Sequence, residues 1–297
     1  MLTKLDQLFD LVKNKEIKTV VVAAAEDLHV MEAIQKAIEK KIINAVLVGH
    51  KEKIEKIAQS LNFDLTNIEI YPENDPLKSC AKAVELIHDK KASILMKGLV
   101  STAGLLKAVL NKEKGLRKNE VLSHMSVFES PYYHKLLGIS DVGMNISPEL
   151  KDKVAIINNA LEVFHAIGVS IPKVAILAAV EVVNPAMPAT IDAAALTQMN
   201  KRKQITNCII DGPLGLDNAI SKEAALHKGI ESEVAGDADI LICNDIESGN
   251  FMYKAMSFLG GATVAALIMG AQVPIILTSR ADSEKSKLMS IVLASAL

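Results

Sequence analysis

Along most of this chain, short apolar runs alternate with longer stretches whose apolar residues recur every three or four positions. Residues 19–23 are followed by 28–41, 45–48 by 54–61, 68–71 by 77–90, and 93–96 by 105–110. The short runs, rich in β-branched residues, predict strands; the longer patterns predict amphipathic helices. A strand–helix order repeated in this way predicts a parallel sheet with helices on its faces. The rhythm breaks at 121–129 and 134–139, two apolar runs joined by Ser130-Pro131-Tyr132-Tyr133, which read as a hairpin and suggest a domain junction. A long helix over 148–168 follows, with Pro148 in its first turn and Gly168 past its end. Strands are then predicted near 174–178, 206–211, 239–243 and 273–277, the last leading into a terminal helix.

Length and composition narrow the picture. At 297 residues, half of them hydrophobic, the chain is long enough for two buried cores. Lysine and arginine (33) nearly balance aspartate and glutamate (35), aromatics make up 3%, and tryptophan is absent, so neither a basic track nor stacking platforms for nucleic acid are expected. Residues 1–13 have an amphipathic helical pattern without a signal sequence, and no apolar run is long enough to span a bilayer, which predicts a cytoplasmic protein with no membrane partner. Cys80, Cys208 and Cys243 stand far apart without CxxC spacing, so no disulfide and no zinc site are expected.

Open α/β sheets bind ligands beyond the carboxyl ends of their strands. The residues at those places are unusually polar. Lys97-Gly98 with Ser101-Thr102 follows one strand, Ser123-His124 interrupts another, and Asp141 to Asn145 closes the hairpin. Glu181 and Asn184 precede a helix starting near Thr190; Asp211-Gly212-Pro213 with Asp217 comes next, then Glu247-Ser248-Gly249-Asn250 with Lys254, then Ser279-Arg280. Each has a plainer explanation: Thr102, Asp217 and Ser248 as helix caps, Gly98 and Gly212 as turn glycines, His124 as a core histidine. Their recurrence along one edge of two sheets argues for a ligand cleft. Arg280 is one of only three arginines, and its fork suits bidentate recognition of phosphate. GxGxxG, GxxxxGK[ST] and HExxH are all absent, and Cys243 is the one thiol in a plausible site position.

Several of these segments resemble a known family. Asp211-Gly212-Pro213-Leu214 with Asp217 and Ala219, Glu247-Ser248-Gly249-Asn250 with Lys254, Gly260-Gly261-Ala262, and Thr278-Ser279-Arg280 resemble the phosphate acyltransferases, which pass acyl groups between coenzyme A and phosphate. Lys97-Gly98 with Thr102, Leu122-Ser123-His124, Asp141 with Gly143 and Asn145, and 181–193 look more like the phosphate butyryltransferase branch than the acetyltransferase branch. The resemblance spans nearly the whole chain.

The resemblance implies an α/β fold of two domains with mainly parallel sheets, an isocitrate/isopropylmalate dehydrogenase-like architecture, and an active site in the interdomain cleft. The domains expected are 1–142 with a returning helix at 284–297, and 143–283. It implies butanoyl transfer between coenzyme A and phosphate by direct attack in a ternary complex, with coenzyme A as substrate, no cofactor and no metal, in a homodimer or higher homo-oligomer. Ser279 and Arg280 match the family's catalytic pair. The acetyltransferases place an aspartate six residues beyond that arginine, and that position is Ser286 here, which leaves Asp282, Glu284 and Asp217 as candidates for the acid; Asp282 can equally cap the last helix. Asn244 stands where relatives tend to have proline. Substrate contacts are expected from Lys97, Thr102, Ser123, His124, Asp141, Asn145, Asn184, Asp211, Glu247, Gly249, Asn250 and Lys254. The alternatives are acetyl transfer, a metal- and NAD-dependent dehydrogenase of the same fold, and a non-catalytic acyl-CoA sensor.

Overall fold

A computed structural model of the chain describes residues 2–277 and 282–297. Its elements in chain order are α1 (Leu8–Val12), β1 (Lys18–Ala23), α2 (Leu28–Glu39), β2 (Ile43–Gly49), α3 (Lys51–Leu61), β3 (Glu69–Pro72), α4 (Pro76–His88), β4 (Ile94–Lys97) and α5 (Thr102–Val109). Next come β5 (Ser123–Glu129), β6 (Leu137–Ser140), α6 (Leu150–Ala166), β7 (Lys173–Leu177), α7 (Pro188–Lys201), β8 (Ile209–Leu214), α8 (Leu216–Ile220) and α9 (Lys222–His227). The chain continues through β9 (Ile240–Ile242), α10 (Ile246–Lys254), a π-helical turn (Ala255–Leu259), β10 (Thr263–Met269), β11 (Ile275–Ile276) and α11 (Glu284–Ala296).

Contacts divide the chain into two compact units. The first comprises the described residues of Asp6–Glu120 and Ala265–Leu297; the second comprises those of Met1–Leu5 and Val121–Val264. The first unit carries strands in the order β3-β2-β1-β4-β11-β10, parallel except for the antiparallel β10–β11 pair. β1 and β4 are buried along almost their whole length because helices cover both faces, as continuous apolar runs require. α3 shows how its polar pattern works: Ile54 and Ala58 are buried while Lys51, Glu52, Lys53, Glu55 and Lys56 face solvent. α11 is buried from Ser286 to Ala296 and is tied in by Lys36–Glu284, Lys285–Asp6 and Lys15–Ala296 contacts.

The second unit orders its strands β5-β6-β9-β7-β8. β6, β9, β7 and β8 are parallel, and β5 pairs antiparallel with β6 as the hairpin pattern predicts. The sequence placed 121–142 with the first domain, but the hairpin belongs to the second unit because Gly138 to Ser140 pair with Ile240 to Ile242. The helix expected over residues 1–13 is shorter. Leu2 and Leu5 are held by Leu136 and Glu129 of the hairpin region, and helix begins only after a 3₁₀ turn at Leu5–Gln7. β10 and the π-helical turn have no counterpart in the sequence reading; β10 lies inside a long apolar run in which period alone does not separate strand from helix.

Candidate active site

In the second unit, the carboxyl ends of β6, β9, β7 and β8 and the start of antiparallel β5 share one sheet edge. The loop after β6 is built around Asp141, which is 3% exposed. Its Oδ1 accepts the backbone N–H groups of His124 (2.9 Å), Gly143 (3.0 Å) and Met144 (3.1 Å). Its Oδ2 accepts the Asn145 backbone N–H (2.8 Å) and the Asn145 side-chain amide. Five donors use the acceptor capacity of one carboxylate, so Asp141 organises the loop from within. The Asn145 amide also donates to the Leu122 carbonyl (2.8 Å), closing the loop onto the approach to β5. Ser123 is fully buried and accepts the Asn159 amide of α6 at 3.0 Å. His124 is half-buried, its ring 6.2 Å from that of Tyr253.

α10 enters the same cluster. Asp245 and Ser248 form a capping box, with Ser248 N donating to Asp245 Oδ1 at 2.8 Å. Asn250 donates to the Val142 carbonyl (3.2 Å), joining this helix to the β6 loop. Gly249 is buried at the contact, whereas Glu247 and Lys254 point to solvent. The structure therefore gathers Ser123, His124, Asp141, Asn145, Gly249 and Asn250 into one packed cluster with Glu247 at its rim.

A second cluster lies beyond β7 and β8. Glu181 Oε1 accepts the Asn218 amide and the Lys228 ammonium (2.6 Å). The Lys228 hydrogen bond holds the Glu181 carboxyl below its ordinary range. Asp217 is exposed, 3.6 Å from Lys228. Asn184 is exposed and makes a local turn through its side chain to Ala186 N (2.9 Å), while its own N–H donates to buried Thr190 (2.9 Å). Asp211 lies within β8 rather than after it and accepts Gly212 N at 2.9 Å. Lys228 and Asn218 were missed by sequence reasoning because only the fold brings them to Glu181.

In the first unit, β1 and β4 are neighbours while the chain continues from β1 outward to β2 and β3, so the exits of β1 and β4 form the point where strand order reverses. A Cβ on Gly98 would lie 2.0 Å from the Ala24 carbonyl oxygen, which makes glycine necessary where the two exits touch. Lys97 is 8% exposed, and its ammonium donates to Gly98 O (3.2 Å) and Val100 O (3.1 Å). Thr102 is exposed in the first turn of α5, whose cap is Ser101 rather than Thr102. The cap of α11 is likewise Ser283 and not Asp282. Asp282 is half-buried and its carbonyl accepts Lys287; Glu284 pairs with Lys36. Ser279 and Arg280 lie outside the described residues.

Cys243 is 2% exposed, and burial pushes its thiol up to about 12, which disfavours the thiolate that a nucleophilic role requires. Among the described residues, no group of three or more His, Cys, Asp or Glu is arranged to hold a metal ion. No described helix is long and apolar enough to cross a membrane. The chemistry the arrangement supports is binding of a polar ligand at backbone-rich strand and helix ends, with carboxylates and lysines at the rim.

Comparison with known proteins gives the chain a family. A family model described as Phosphate acetyl/butaryl transferase matches residues 4–81 and 73–295. The chain is 47% identical over 294 residues to a phosphate butyryltransferase of Clostridium acetobutylicum, covering 99% of this chain and 98% of the relative. It is 44% identical over 290 residues to a phosphate acetyltransferase of Thermotoga maritima, covering 98% of each. Its structure resembles that of a branched-chain phosphotransacylase from Enterococcus faecalis with a TM-score of 0.81 and 31% identity, covering 94% of this chain and 99% of the other. The chain belongs to the phosphate acetyl/butaryl transferase family.

Proposed function

We propose that the protein transfers a butanoyl group between coenzyme A and inorganic phosphate, by direct attack within a ternary complex. The observation that carries this reading is likeness to a phosphate butyryltransferase over 99% of the chain, including the β6-loop and α10 segments that pack together at the sheet edge. In the forward direction a phosphate oxygen attacks the thioester carbonyl, forming the C–O bond of the acyl phosphate and a tetrahedral oxyanion, whose collapse restores the carbonyl and breaks the C–S bond. The thiolate takes up a proton on release. In the reverse direction a carboxylate removes the thiol proton. Arg280 and Ser279 are proposed to hold phosphate, and Ser279 or a backbone N–H to donate to the oxyanion, a contribution of about 3 kcal/mol for one donor.

Asp282 is the first candidate for the acid, since Ser283 fills the capping role that would otherwise explain it. Asp217 ranks second beside Lys228, and Glu284 third because Lys36 already pairs with it. Coenzyme A acts as substrate; no cofactor or metal is needed for this chemistry. A cytoplasmic setting is proposed for the same enzyme, with no membrane or nucleic-acid partner.

A homo-oligomer, a dimer or larger, is also proposed. Exposed Tyr132, Leu216, Phe251, Phe258 and Leu259 occur on the second unit, several of them lining a cavity of about 420 Å³, and such apolar surface favours association. Light scattering across a dilution series tests this part.

The decisive experiment is thiol release from a panel of acyl-CoAs with phosphate, with and without divalent metal and NAD. Butanoyl-CoA is expected to exceed acetyl-CoA, since each methylene buried in an apolar pocket contributes about 1–3 kcal/mol. Preference for acetyl-CoA removes the butanoyl assignment, and dependence on NAD removes acyl transfer altogether.

A further inference from the structure

Lys153 shares a face of α6 with Ile156, Ile157 and Ala160, and all four are buried. A lysine on an apolar face requires a partner, because an uncompensated buried ammonium is strongly unfavourable. Its ammonium donates to Asp192 Oδ2 at the start of α7 (2.6 Å) and reaches Asn244 Oδ1 at 3.4 Å. The Asn244 amide in turn donates to the Leu177 carbonyl at the end of β7. On the other side, Cys243 N donates to the Ser140 carbonyl at the end of β6 (2.8 Å).

The short segment between β9 and α10 is thus held from both neighbouring strands and, through Asn244, by a buried charge. The next residue, Asp245, caps α10, which carries Glu247, Gly249 and Asn250. With Asp192 26% exposed the pair is only partly buried, and such a pair is weak evidence for stability, since well-packed apolar residues of similar volume serve as well or better. The Lys153–Asp192 pair instead directs a donor at Asn244, the residue just before the Asp245 cap of this helix.

We infer that Lys153 is a positioning residue: acting through Asn244, it sets the placement of the first turn of α10 for acyl transfer. The catalytic part of this inference rests on the acyltransferase reading. Asn244→Ala severs the link while leaving the ion pair in place. The double variant Lys153→Met with Asp192→Leu removes both charges without orphaning either.

The experiment measures thiol release from butanoyl-CoA, thermal melting, and hydrogen exchange across residues 246–250 in wild type and both variants. Both variants are expected to melt near the wild-type temperature, lose about 10- to 100-fold in kcat with little change in KM, and exchange faster at the start of α10. Wild-type kcat in either variant, or unchanged exchange across 246–250, overturns the inference. If the wild type itself releases no thiol, the acyltransferase reading fails, and the exchange measurement still decides the positioning role.

Discussion

A Cβ on Gly249 would lie 2.0 Å from the carbonyl oxygen of Asp141, so the first turn of α10 and the loop after β6 are in direct backbone contact. No side chain fits between them without moving one or the other. Gly249→Ala is expected to cost about 1–3 kcal/mol of stability through overpacking. Turnover should fall about 100-fold if the displaced loop carries substrate contacts. Urea unfolding and steady-state kinetics on the same variant check both numbers; wild-type values for both show that the two segments part without cost.

Arg280 is expected to bind the inorganic phosphate or the phosphoryl group of the acyl phosphate. Arg280→Lys keeps the charge and loses the fork, so phosphate saturation should weaken while coenzyme A binding stays nearly unchanged. Arg280→Ala should be worse, by about 2–5 kcal/mol relative to wild type. Phosphate titrations of thioester cleavage, with melting temperature as the folding control, test the assignment. Unaltered phosphate saturation and turnover in Arg280→Ala would remove it.

Asp282→Asn should slow the thiol-consuming direction and leave coenzyme A affinity almost unchanged. Because Ser283 caps α11, the melting temperature should hardly move. The pair of measurements separates chemistry from capping: a lower melting temperature with normal turnover points to structure alone, and the base must then be sought at Asp217.

Asp237 offers a pH test away from the site. Burial pushes its carboxyl upward, but hydrogen bonds from Lys173, His134 and Lys135 outweigh that and hold it well below its ordinary 3.8. Lys135 is 1% exposed and contacts both Asp237 (3.0 Å) and Asp239 (2.6 Å). A carboxyl with a lowered folded value contributes stability that is fully present above the unfolded value and disappears as pH falls through the folded one. Asp237→Asn should therefore lower stability at neutral pH by about 1–3 kcal/mol, with the gap to wild type closing below pH 3.8. Denaturant midpoints measured across acid pH reveal the closing gap, and a constant gap contradicts this account.

Legibility differed from element to element. The strands and helices of the first unit follow closely from the chain, because each apolar run must be covered on both faces and each helix shows its buried stripe, as Ile54 and Ala58 do in α3. The polar residues beyond the strands were also visible, since an open α/β sheet leaves ligands only its carboxyl edge. Domain limits were less legible. The hairpin looks like a break in rhythm, yet its pairing with β9, about a hundred residues later, assigns it to the second unit.

The sequence by itself determined the strand–helix order, the kinds of residue at the sheet edge, and the likeness of its segments to the phosphate acyltransferases. Tertiary structure decided what each of those residues does, because hydrogen-bond partners remote in sequence are set by the path of the chain. Asp141 reads as a polar strand-end residue, and only the folded chain adds the His124 N–H, 17 residues away, to the loop donors that it accepts. Thr102 and Asp282 read as helix caps until Ser101 and Ser283 occupy that role one position away. Lys153 carries a signal in its apolar setting, but the pairing with Asp192 and the reach to Asn244, 39 and 91 residues onward, exist only once α6, α7 and β9 have packed together.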